Sequence, residues 1–193
     1  MKLLGYLRVL KNEEIARRYF VMNSFDGALT ILGIVIAMYI TGKSESSLII
    51  ISSLGAAVAL AVSGVWSAYA AERAERLKSL RELERHLLRN LDETKIKRRM
   101  AILILLVALV NGLSPLLVSL IAISPFIFSH LGVIPIEAAF YYFLTLVAVI
   151  LFLLGAFVAR IGKDDIVKGG LKMILAGVVV GVIIYTLELM KLV

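Results

Sequence analysis

Asn23, Asp26 and Thr30 stand three and four residues apart in the run MNSFDGALTILGIVIAM at residues 22–38. In a helix this spacing puts an amide, a carboxylate and a hydroxyl on one face. Oxygen donors grouped in that way suit a hard cation. The surrounding residues are apolar, and at 1.5 Å per residue Asp26 lies roughly 10 Å beyond Tyr19, where the apolar run begins. A carboxylate at that depth in a bilayer is costly and marks a functional site. The face that carries it is expected to point at protein rather than lipid. An alternative role is structural: Asp26 sits at a break in the helix and caps the part that begins at Gly27. Capping and ion binding can coexist at a broken helix.

Other oxygens lie at similar depth. Ser63 and Ser67, one turn apart, fall level with Asp26 when counted from the inner end of their span, and are weak candidate ligands. A hydroxyl bonded to its own helix backbone is the competing fate for both. Asn111, Gly112, Ser114 and Pro115 form a polar interruption in an apolar stretch, where proline is expected to kink the helix or free a carbonyl beside the polar group. Ser53, Ala57, Ala61, Gly64, Ala68 and Ala71 follow one another at steps of four or three. Such a stripe allows close helix approach and reads as a packing seam, within a protomer or across a dimer. Gly177 and Gly181 form a weaker signal of the same kind, and Glu137 and Glu188 fall near outer ends, within reach of water.

Enzymatic chemistry finds no support. His86 and His130 fall on opposite sides of the membrane, and there is no HExxH, no P-loop and no nucleophile beside a base. No catalytic residue and no resident cofactor is expected. Without cysteine, thiolate metal sites and disulfides are excluded. A metal-loading cluster of Glu72, Glu75, Glu82, Glu84 and His86 is disfavoured, because ten basic residues oppose six acidic ones in 72–100 and repel a divalent cation.

The elements that must position these groups are membrane spans. Of 193 residues 61% are hydrophobic and 18% charged, well away from a soluble composition. Five stretches are long enough to cross a bilayer: 19–40, 48–71, 101–123, 138–159 and 171–190. The fold class is therefore all-α, a polytopic membrane protein forming a single membrane domain over 1–193. Residues 1–18 are expected as a retained helix lying in the inner interface, with Leu3, Leu7 and Leu10 on one face. Residues 72–100 are expected as a cytoplasmic helical segment that continues the second span. There Leu77, Leu80, Leu83, Leu87 and Leu91 recur at helical spacing, and Glu72–Arg76 and Arg81–Glu84 are placed to pair.

Lys and Arg number five in 1–18, one in 41–47, ten in 72–100, none in 124–137, four in 160–172 and one at Lys191. Alternate segments thus hold 19 against 2, which by the positive-inside rule puts the N-terminus in the cytoplasm and the C-terminus outside, in an integral protein of the cell membrane. The same asymmetry explains the net charge of +7 without nucleic acid as a partner.

From about Arg17 to Met190 the chain resembles the vacuolar iron transporter family. The resemblance rests on the Asp-Gly-bearing first span, on AVSGVWSAYAAERAE at 61–75, on Gly112, Pro115 and Leu116, and on LFLLGAFVAR followed by GGLKMILAG. It implies export of divalent iron or manganese from the cytosol in exchange for protons, by a homodimer with the ion path between protomers. It also implies that Asp26 is the transport carboxylate. Two positions depart from the family pattern: Gly64 stands where a metal-binding Met follows the second-span Ser, and Ala56 where a Glu stands about two turns earlier. The long Glu-rich cytoplasmic domain is shortened to 72–100.

The expectation is a secondary transporter that carries Mn²⁺ or Fe²⁺ out of the cytoplasm as substrate, with protons as the exchanged ion. The homodimer would join through the first and second spans in the lipid bilayer. Asp26 is the main ligand, with Asn23, Thr30, Ser63 and Ser67 around it. Loss of a thioether and a carboxylate weakens soft-ligand selection, and leaves room for a harder ion such as Mn²⁺ or Mg²⁺. The alternative is a non-transporting scaffold that keeps the fold and works through its cytoplasmic helix.

Overall fold

The computed structural model describes the backbone of residues 2–87 and 95–190, and the side chains of 14–82, 84–86 and 100–190. Five helices follow one another: α1 (Lys2–Ile40), α2 (Ser46–Leu87), α3 (Lys95–His130), α4 (Ile136–Gly162) and α5 (Ile166–Leu189), with no strand among the described residues. Each contains a stretch long and apolar enough to cross a bilayer. The chain is an all-α integral membrane protein of five spans.

Helix boundaries follow local chemistry. Residues 6–26 contain neither Gly nor Pro, and α1 runs unbroken from Lys2 to Ile40. The segment 1–18, expected as a separate interfacial helix, is from Lys2 onward the first part of α1. The same continuity removes the helix break at Asp26, so the carboxylate caps nothing: a single Gly costs a helix only about 1 kcal/mol, too little to end it. At 42 residues, α2 is roughly 63 Å long, about twice the hydrocarbon thickness. Its second half therefore leaves the membrane as a continuation of the span, and Arg76 Nε pairs with Glu72 at 3.2 Å there. Leu80 on this extension is buried. The side chains of Leu83 and Leu87, and all of Leu91, lie outside the described residues.

Pro115 and Pro125 are both accommodated inside α3, which ends at His130, beyond the expected 123. Gly42 and Gly132 adopt positive φ of 72° and 75° just after α1 and α3, the left-handed turn that a side chain resists. Between α4 and α5, Lys163 takes the left-handed cap position. Asp165 then caps α5 by accepting from Val167 N at 2.9 Å and Lys168 N at 3.2 Å, so α5 starts at Ile166 rather than 171.

The core lies toward the end where α1 stops and α2 starts, and there Ile31 and Val35 of α1 meet Ile49 of α2, Ile123 and Phe126 of α3, and Phe143 and Val147 of α4. Phe126 stands edge-on to Phe140 with ring centroids 5.0 Å apart. Near the other end α4 and α5 cross at a backbone contact: a Cβ on Gly169 would lie 2.7 Å from the Gly155 carbonyl oxygen, and one on Gly155 would lie 2.9 Å from Gly170 Cα. The small residues of LFLLGAFVAR and GGLKMILAG are the two sides of this crossing.

Candidate functional site

The polar centre of the bundle is built on Asn111. Pro115, four residues on, has no N–H to give the Asn111 carbonyl, and that carbonyl faces α2 at Gly64, where a Cβ would lie 3.1 Å from it. The Asn111 side chain, 5% exposed, donates through Nδ2 to the Gly64 carbonyl at 2.6 Å. Its Oδ1 accepts from Asn23 Nδ2, which also donates to the Tyr19 carbonyl at 2.9 Å. One asparagine of α3 thus ties α1 to α2. The Asn23 amide nitrogen is committed to this link, and its oxygen stays open to another partner.

Just outward of this link, Gly27 of α1 meets Pro115 of α3, where an added Cβ would lie 2.8 Å from Pro115 Cα and from its carbonyl oxygen. The contact clamps α1 against α3 at the residue that follows Asp26. Asp26 itself points away from the clamp: its side chain is exposed in the protomer, and no hydrogen bond or ion pair engages it among the described residues. On this face Asn23 does meet protein, through Asn111 of α3, whereas Asp26 is exposed in one protomer.

The remaining candidates divide. Thr30 is half-buried and on the same side of α1, whereas Ser63 and Ser67 are exposed on α2. Ser67 Oγ donates to the Gly64 carbonyl at 3.3 Å, the backbone-bonded fate. Neither serine is hydrogen-bonded to Asp26. No group of three or more His, Asp or Glu side chains converges among the described residues. One protomer therefore offers an ion one carboxylate, with neutral oxygens near it.

The packing of α2 bears on two readings. The small-residue stripe is a packing seam within the protomer: Ser53, Ala57, Gly64 and Ala68 are buried, and Gly64 packs on Asn111 and Gly112 of α3. A Cβ on Gly112 there would lie 2.9 Å from Val65 N. Ala71 alone of the stripe is exposed. Position 64, where the family pattern has methionine, faces this seam. A side chain at 64 meets Asn111 O and Gly112 Cα at 3.1 Å. Ala56 is packed against the apolar core. Asn111 was absent from the candidate ligands, although its position four residues before Pro115 is the signal that marks it.

Residues 92–188, about half of the chain, match the VIT family. The match covers α3, α4 and α5, with α1 and its Asp26 outside it. An uncharacterized protein of Methanocaldococcus jannaschii is 28% identical over 180 residues, which is 92% of this chain and 91% of that one. The chain belongs to the VIT family of membrane proteins. Members of that family are transporters, and membership points to metal ion transport across a membrane.

Proposed function

We propose that the protein is a secondary transporter that moves a divalent metal, Mn²⁺ or Fe²⁺, out of the cytoplasm in exchange for protons, as a homodimer with Asp26 as the transport carboxylate. The observation that carries this reading is the setting of Asp26: a carboxylate exposed on the apolar, membrane-spanning part of α1, with no hydrogen bond or ion pair among the described residues. Leaving such a group against lipid costs about 2.5–3.5 kcal/mol on insertion scales. A second copy placed on this face shields the carboxylate from lipid, and a bound cation or protons then offset its charge. The second copy also brings two carboxylates to one axis, together with the open oxygens of Asn23 and Thr30.

A site of two carboxylates, amide and hydroxyl oxygens and water is composed of hard ligands, which favours Mn²⁺ over softer ions. In a low-dielectric site the carboxylate pair exchanges protons for the cation, because a lone negative charge is disfavoured there. The distribution of Lys and Arg supports a cytoplasmic N-terminus, and an inward proton gradient across that membrane would drive export. Uptake of Mn²⁺ and Fe²⁺ into proteoliposomes tests the reading. Wild type is expected to transport, and Asp26→Asn is expected to lose transport while remaining a folded dimer. Wild-type rates in Asp26→Asn would refute the assignment. Absence of transport by correctly folded wild type would favour the scaffold role for the α2 extension.

A further inference from the structure

We propose that the inner end of the bundle carries a binding site for one anionic phospholipid, in a groove between α1 and the α4–α5 hairpin. The groove is open and has a volume of about 420 Å³, within the usual size of ligand pockets. Val21, Met22 and Phe25 of α1 form one wall, and Val158 and Ile161 of α4 with Met173 of α5 form the other. One turn outward the groove closes where Gly177 lets α5 pack on α1, with a Cβ there 3.3 Å from Leu32. The charged rim begins at Glu14, and the apolar part of the groove follows α1 from Val21 to Phe25, roughly 6 Å.

The occupant is set by charge. The rim holds Arg17 and Arg18 beside Glu14, and neither arginine forms an ion pair among the described residues. Arg18 rests its guanidinium 5.8 Å from the centre of the Tyr19 ring, at the level where aromatic and basic side chains meet headgroups. Next to the lining residues in sequence come Arg160, Lys163 and Lys172, opposed by Asp164; Lys168 is paired with Asp165 at 3.6 Å. An apolar slot under two guanidinium groups that form no ion pair among the described residues fits the upper part of an acyl chain with a phosphodiester above it. The site does not depend on which ion Asp26 handles, although the lipid would lie one turn below that residue, against Met22.

Native mass spectrometry of the full-length protein, with phosphatidylglycerol or phosphatidylcholine added, tests the proposal. Wild type is expected to retain phosphatidylglycerol at least fivefold over phosphatidylcholine, at one lipid per protomer. The double variant Arg17→Gln/Arg18→Gln should lose that preference, and Arg17→Lys/Arg18→Lys should keep it. Met173→Trp, which fills the slot, should lower retention of both lipids. Equal retention of the two lipids by wild type, or an unchanged preference in the double Gln variant, would overturn the site. So would efficient disulfide formation between copies carrying Val158→Cys in a bilayer, which would make a second copy the occupant.

Discussion

Asn111 and Asp26 sit a turn apart in depth and do opposite work. Asn111 spends its side chain on holding α1 and α2 to α3; Asp26 spends nothing on the fold. Asn111→Leu is therefore expected to destabilise the protein by about 1–2 kcal/mol, the range for interhelical hydrogen bonds in membranes, seen as a lower unfolding temperature in detergent. Asp26→Asn should leave that temperature unchanged. The α2 register yields a second contrast. Met in place of Gly64 must enter backbone of α3 and should cost about 1–3 kcal/mol, whereas Met in place of Ser63, on the exposed side, should be tolerated. Gly64→Met with wild-type stability and tighter iron binding would show that position 64 faces the ion path. The type and depth of Asp26 were legible in the sequence, because a charged residue in an apolar run stands out without any knowledge of packing. The seam around Gly64 was not, since a stripe of small residues looks the same whether its partner is α3 or another protomer.

The helices were legible for a related reason. Five apolar stretches meet a length set by the bilayer, and that constraint acts on each stretch alone. Ends were less so: α3 passes through Pro125 and α5 begins five residues early, because caps such as Asp165 and Gly132 act through backbone geometry rather than hydropathy. The missing break at Asp26 belongs here too, as Gly27 serves close approach to Pro115 and not a turn. At the α4–α5 crossing, Gly155→Leu should force the helices apart and destabilise by about 1–3 kcal/mol or more. A thermal unfolding series comparing it with Gly162→Leu, where a Cβ meets nothing within 4 Å, isolates the crossing. Equal effects of the two substitutions would mean that the close contact does not hold the hairpin.

For the whole molecule, the proposed function joins the unequal charge of the two ends and the exposed Asp26 in an oriented dimer. The chain has no cysteine, so single cysteines report topology directly: Lys43→Cys is expected to react with an impermeant maleimide added outside intact cells, and Ser79→Cys only after permeabilisation. The reverse pattern would invert the orientation. The central claim is that Asp26 exchanges a divalent metal for protons. It is tested most directly by proteoliposomes with an acidic lumen and a trapped pH dye, to which Mn²⁺ or Fe²⁺ is added outside. Wild type should take up metal while the lumen loses protons, and Asp26→Asn should do neither. Metal-driven proton efflux that persists at the wild-type rate in Asp26→Asn would contradict it.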